Sequence, residues 1–390
     1  MHTGERVHYM DNLRALAMLI GVVFHAALAY SPLMHPIWPL ADAGRSIAVD
    51  AVAWFLHLFR MPLFFVVAGF FAALLVARRG MAGLFRNRGA RVLLPLVVFL
   101  PLVLISMHWL TMQAVADVAH PSPALLWMRD WIEQHGALPS MPGWAHLWFL
   151  FYLLLFTVLT WVASSLGLRR IGERIGALPP LAVILLFPLP LSLALTGTTA
   201  PWPAPEFVLP SLWAMAFFGL YFALGYQLFQ RHELLDRLGP LSMPLLVGAV
   251  LAYALLFRLS DGFALTRPTT LQHALHAVLE AYAGLWMTLW CLLAGKRWLD
   301  RRSSTMRWLA DASYWTYLVH LPLLFAIQYR LLDAPLHWLE KFAISVLATF
   351  VVSLVSYQLV VRYTLLGRFL NGNRVGAPTS NHRDTSPGLP

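Results

Sequence analysis

Long apolar runs recur along this 390-residue chain, separated by short segments that carry most of its charge. That pattern excludes an ordinary soluble fold. Hydrophobic residues make up 59% of the chain and charged ones 12%, about half the charged share of a soluble domain. Each run is near the ~20 residues that cross the hydrocarbon core as a helix. Barrel strands would be about ten residues long with period-two alternation. The sequence therefore predicts an all-α, polytopic membrane protein with about ten transmembrane helices. They fall near 10–30, 47–77, 92–112, 146–165, 180–197, 211–229, 240–258, 272–295, 312–331 and 341–362.

The arginines give this array a direction. One set of loops carries Arg78, Arg79, Arg86, Arg88 and Arg91; then Arg169, Arg170 and Arg174; then Arg231 and Arg237; then Lys296, Arg297, Arg301, Arg302 and Arg307. Arg368, Arg374 and Arg383 lie toward the C-terminus, whereas 198–210 has neither Lys nor Arg. The positive-inside rule then puts both termini in the cytoplasm, in agreement with an even number of spans. The net charge of +10 is read as topology rather than as a nucleic-acid surface. The single cysteine, Cys291, precludes an intrachain disulfide and a cysteine metal site.

Ala27-Leu28-Ala29 after the first apolar run imitates a signal-peptide cleavage site, but Glu5, Asp11 and His25 argue against cleavage. Residues 1–370 read as a single membrane-embedded domain and 371–390, rich in Asn, Ser, Thr, Gly and Pro, as a disordered cytoplasmic tail. The second run is about 30 residues, or roughly 45 Å as one straight helix, and Pro62 sits in its middle. The second helix is expected to be broken near Arg60-Met61-Pro62, lining a cavity; a kinked, tilted helix is the alternative. In the long connection 113–145, Ala124 to His135 suits a short amphipathic helix on the outer surface, with Trp127, Trp131 and Trp144 in an interface belt.

Polar residues inside apolar spans are costly and mark function. Arg14 and His25 are eleven positions apart, about 1100° of helix rotation, so they share a face about 16 Å apart along the axis. Asp11, Met18 and Gly21 fall on or near that stripe. Arg60, Glu280 and His320 are the other intramembrane polar sites. A buried arginine needs a partner, and depth alone selects Glu280, so an Arg60–Glu280 pair is predicted. His57 can support Arg60 or simply pack. His320 alone fits a hydrogen-bonded packing role more readily than a catalytic one. Arg88 and Arg91, at i and i+3, can bind a phosphate, although lipid headgroups select the same residues. The chain lacks a Gly-x-Ser-x-Gly elbow, a phosphate-binding Walker loop and a His-Glu-x-x-His motif, and no metal is expected.

Together these motifs resemble the acyltransferase-3 family of membrane acyltransferases, and within it the glucan biosynthesis protein C group, which succinylates periplasmic glucans. The likeness rests on Arg14 and His25 in an Arg-x10-His pattern, and on His57-Leu58-Phe59-Arg60-Met61-Pro62-Leu63-Phe64-Phe65 with Gly69. Arg88 and Arg91 add an Arg-x-x-Arg pattern, and His146-Leu147-Trp148-Phe149-Leu150 and Tyr317-Leu318-Val319-His320-Leu321-Pro322 complete it. It runs from residue 9 to about 365. Trp54 departs from the group, which often has Asp there. The resemblance implies a bacterial inner (plasma) membrane enzyme with a ten-helix core. It would take an acyl group from cytoplasmic acyl-CoA (acetyl-CoA or succinyl-CoA) and pass it to a hydroxyl of a periplasmic or cell-surface glycan. On this reading Arg14, Arg88 and Arg91 bind acyl-CoA, and His25 is the general base. Arg60 holds the donor or the developing oxyanion, with His320 and Glu280 as further site residues. The competing reading is a multi-pass transporter or flippase that uses Arg14, His25, Arg60 and Glu280 as a relay. A non-catalytic scaffold has no positive support.

Overall fold

A computed structural model describes residues 7–139, 143–167, 179–231, 233–263 and 268–371. The described residues are helical, with one isolated antiparallel bridge between Gly143 and Phe207. In chain order the helices are α1 His8–Ala27, α2 Ile47–Arg88, α3 Leu94–Asp117, α4 Pro123–His135, α5 Trp148–Ser165, α6 Pro180–Leu186 and α7 Pro188–Leu195. Then follow α8 Leu212–Gln230, α9 Glu233–Leu238, α10 Ser242–Leu259, α11 Thr270–Ala294, α12 Ser304–Leu331, α13 Trp338–Ser356 and α14 Leu365–Asn371. Every span expected from the sequence contains a helix. Among the described residues, seven stretches are long and apolar enough to cross a membrane; one of them, Ile47–Asp117, is 71 residues long and contains two expected spans. The expected tail from 371 onward lies outside the described residues beyond its first position, as do Arg169, Arg170 and Arg174.

Local signals start the helices where the hydropathy leads one to expect them. Ser46 caps α2 by accepting the Ala48 N–H, Ser122 caps α4 by accepting that of Leu125, and Ser303 caps α12 by accepting that of Met306. Thr269 and Gln272 form a capping box at α11. The amphipathic segment is a helix, α4, tied to the end of α3 by Arg129, whose Nε donates to Val115 O at 2.6 Å and whose Nη2 donates to Val118 O at 2.7 Å. Lys341 of α13 reaches the α1–α2 connection, 2.7 Å from the Asp42 carboxylate.

The second helix is not broken at Arg60-Pro62. It is continuous there, and its non-helical residue is Gly80, with φ 66° and ψ −178°, a backbone conformation that requires glycine. Pro62 cannot bond the Leu58 carbonyl. The α11 backbone covers that carbonyl at Gly284, where a Cβ would lie 3.0 Å from Leu58 O. Buried packing from His57 through Phe70 holds the direction of the helix. The loss of one hydrogen bond does not break a segment that is enclosed on all sides.

The most extensive helix pairing is α2 with α8; α10 packs on α11, and α1 on α12. Close approach of α2 and α8 depends on two glycines. A Cβ at Gly69 would overlap the Phe222 carbonyl, and one at Gly225 would overlap the Val66 carbonyl. Gly69→Ala or Gly225→Ala is therefore expected to lower stability by about 1–3 kcal/mol, read as an earlier melt in detergent. Gly239→Ala, with nothing within 4 Å of its new Cβ, should change it by less than about 0.5 kcal/mol.

Candidate active site

The pairing of α1 with α12 brings His25 to His320. His320 Nε2 lies 3.0 Å from His25 Nδ1, with ring centroids 4.9 Å apart. Each imidazole is also held by a backbone carbonyl of its own helix. His25 Nδ1 is 2.8 Å from Gly21 O, and His320 Nδ1 is 2.8 Å from Tyr317 O. A third histidine joins from the turn before α5: His146 Nε2 donates to the same Tyr317 carbonyl at 3.1 Å, and the Tyr317 hydroxyl donates back to His146 O at 2.9 Å.

Arg60 enters this group from α2. It is only 6% exposed, and its guanidinium carbon lies 4.7 Å from the centre of the Phe24 ring, a cation–π contact. Its Nη1 fills the space over Gly21, where a Cβ would come within 2.6 Å. Arg60 Nε is buried without a hydrogen-bond partner, and no ion pair to Arg60 forms among the described residues. The predicted Arg60–Glu280 pair is therefore corrected. Glu280 is buried, but its Oε1 accepts the Trp202 N–H at 3.2 Å. His57 holds the next peptide of the chain, donating from Nε2 to Trp202 O at 3.1 Å, and its ring packs on both Phe24 and Trp202. Glu280 and His57 thus fasten the 198–210 connection into the bundle, with Trp202 fully buried. Similar depth on two spans does not fix the azimuth at which their side chains point.

His25, His57, Arg60, His146, Tyr317 and His320 surround a small chamber of about 40 Å³. A second cavity of about 450 Å³ opens beside the basic loops, lined by Arg14, Arg78, Arg79, Arg88, Arg91 and Tyr314 among others. Met18, Phe64 and Phe149 line both, so the two cavities adjoin at these residues. The stripe expected on α1 spans the two: Asp11 and Arg14 in the wide cavity, Met18 lining both, Gly21 and His25 in the chamber. Arg14 is half exposed and 3.4 Å from Asp11, an i, i+3 pair of modest strength that leaves it accessible to an anion. Arg88 donates from Nη2 to Ala68 O at 3.3 Å, and its Nε is buried without a partner. Tyr314 donates its hydroxyl to Arg91 O at 2.7 Å, which fixes the turn after Arg88.

The structure thus brings together His25, His320 and Arg60, and separately Arg14, Arg88 and Arg91. Glu280 stands apart from both groups, so the four-residue relay of the transporter reading is not assembled. The sequence reading left out His146, Tyr317 and Trp202 as site residues. His146 and Tyr317 stood within noted motifs, whereas nothing in the charge-poor 198–210 stretch pointed to Trp202. Among the described residues, no group of three or more His, Cys, Asp or Glu is arranged to hold a metal ion.

Glu280→Gln keeps the oxygen that Trp202 needs and should melt within about 1 kcal/mol of the parent. Glu280→Ala leaves the buried Trp202 N–H unpaired and should cost about 1–3 kcal/mol in the same melting experiment.

Comparison with known proteins adds three findings. Residues 7–358 match the acyltransferase-3 family, described as an acyltransferase domain. The chain is similar to glucans biosynthesis protein C of Escherichia coli O139:H28, 27% identical over 391 residues, covering 95% of this chain and 96% of that protein. It is likewise 26% identical over 385 residues to the proteins of that name from Salmonella schwarzengrund and Salmonella typhi, covering 95% of each chain. No solved structure matches.

Proposed function

The chain belongs to the acyltransferase-3 family and is a membrane acyltransferase; from that premise we propose that it moves an acetyl or succinyl group from cytoplasmic acyl-CoA to a hydroxyl of a periplasmic or cell-surface glycan. The relatives' name favours a glucan as acceptor. The arrangement in the bacterial inner membrane is ten crossings with both termini cytoplasmic. The seven long apolar stretches support eight of these, because the 71-residue stretch is far longer than one crossing and turns at Gly80. The jointed pair α6–α7 and the more polar α12 supply the other two.

The observation that carries the proposal is the adjacency of the two cavities. An arginine-lined cavity shares Met18, Phe64 and Phe149 with a chamber where an imidazole meets a guanidinium that has no ion pair among the described residues. Arg14, Arg88 and Arg91 bind the phosphates of CoA, for which charge and multiple N–H donors are suited. The pantetheine arm passes Met18, Phe64 and Phe149 and brings the thioester to the chamber. His25 accepts the proton of the glycan hydroxyl as its oxygen attacks the thioester carbon. Arg60, whose charge no carboxylate among the described residues neutralises, stabilises the negative charge that develops on the thioester oxygen. The carbon–sulfur bond then breaks, and the CoA thiolate takes the proton from His25.

Protein reconstituted in vesicles with labelled acyl-CoA and a glucan acceptor tests this reading. His25→Ala is expected to lower kcat by about 10²–10⁴-fold with the KM for acyl-CoA little changed. Arg88→Ala and Arg91→Ala are expected to raise that KM and to spare kcat. Equal transfer by the parent and His25→Ala would remove the catalytic role. Passage of a charged solute without acyl-CoA would favour transport instead.

A further inference from the structure

The two histidines face each other in a way that fixes their protons. A carbonyl oxygen only accepts, so a neutral imidazole nitrogen 2.8 Å from one carries the hydrogen. Tyr317 O therefore puts the proton of His320 on Nδ1, and Gly21 O puts that of His25 on Nδ1. In the opposite assignment both rings would turn a lone pair toward a carbonyl oxygen. With both Nδ1 atoms protonated, His320 Nε2 is a bare lone pair, and it sits 3.0 Å from His25 Nδ1. The His25 N–H is shared between Gly21 O and His320 Nε2, and His25 Nε2 is left unprotonated.

The geometry points to His320 as a positioning residue that makes Nε2 the basic atom of His25, through the contact between His320 Nε2 and the His25 Nδ1–H. This rests on the reading of His25 as the base. When Nε2 takes the proton of the acceptor hydroxyl, the hydroxyl oxygen bonds to the acyl carbon and the carbon–sulfur bond breaks. The positive charge on His25 is shared through its Nδ1–H with the His320 lone pair until the proton passes from Nε2 to the leaving thiolate. In Ser-His-Asp sites a carboxylate holds the base in this way. Here a carboxylate would share the chamber with Arg60 and pair with it, because no other anion among the described residues occupies Arg60. A neutral imidazole orients the base and leaves the guanidinium charge for the substrate. His146 shares the Tyr317 carbonyl and packs 4.9 Å from the His320 ring, centroid to centroid, so the orienting residue is itself held.

The test is a set of variants in reconstituted, full-length protein assayed with labelled acyl-CoA and glucan acceptor. His320→Ala is expected to lower kcat about 10–100-fold and to leave the KM for acyl-CoA within about twofold. His320→Gln, whose side-chain oxygen can accept the His25 Nδ1–H, is expected to recover at least about tenfold over His320→Ala. In a His25→Ala background, His320→Ala should cost less than about twofold, since it acts through a residue no longer present. Two results overturn the assignment: a glutamine variant as slow as His25→Ala, or the same fold-loss from His320→Ala with and without His25. Should the alanine variant fail to fold, the glutamine variant decides by the same comparison with His25→Ala. Parent-like transfer by His25→Ala is a different outcome: it removes the base reading itself.

Discussion

An arginine side chain buried without a counter-ion among the described residues is the condition on which the arrangement of the bundle depends. A guanidinium taken out of water loses several kcal/mol of solvation, and a protein ordinarily returns part of this with a carboxylate. At Arg60 the compensation comes from elsewhere. The Phe24 face lies 4.7 Å from its carbon, and the absent side chain of Gly21 gives Nη1 its place. Both residues lie on α1, within one turn of His25. The helix that carries the imidazole therefore also seats the cation, and the two cannot be moved independently. Glu280, the intramembrane carboxylate on α11, is engaged with the Trp202 peptide instead. That keeps the anion away from Arg60 and uses it to hold a connection in place.

Helix positions were legible because hydrophobic burial follows sequence locally: apolar length defines each span, and caps at Ser46, Thr269 and Ser303 mark three of the starts. The α1 stripe was legible for a related reason. Its members belong to one helix, and a period of 3.6 residues alone puts Asp11, Arg14, Met18, Gly21 and His25 on one side. The Arg60–Glu280 pair failed because it concerns two helices. Depth follows from counting residues along a span, but whether two side chains face each other depends on the rotation of each helix. That rotation is set by contacts such as Gly69 with the Phe222 carbonyl, which no local pattern announces. The contact between His25 and His320 was out of reach for the same reason, although both residues were picked singly as costly in lipid. Proline at 62 predicted a break by local rule, and dense surroundings overrode it.

The two cavities divide the chemistry by size and polarity. The wide one, about 450 Å³, carries five arginines and suits a large anionic donor. The inner one, about 40 Å³, admits little beyond the reacting atoms. On the proposed reading, a small chamber limits how much water can compete with a hydroxyl for a thioester, and the apolar side chains of Met18, Phe64 and Phe149, which line both cavities, keep the polar part of the donor out of it.

One wall of the chamber follows from the use of Glu280. Ala204 lines the chamber, two residues beyond Trp202, whose N–H is held by Glu280 and whose carbonyl is held by His57. The turn that carries His146 is joined to this same connection, with the Trp144 N–H donating to Glu206 O at 2.7 Å and its indole N–H to Val208 O at 3.2 Å. Two chain segments distant in sequence thus meet beside the chamber that holds His25 and His320. The polar residues that looked from sequence like one relay therefore divide by task. Arg14, Arg88 and Arg91 face the wide cavity, Arg60, His25 and His320 face the chamber, and Glu280 and His57 hold the segment that borders it.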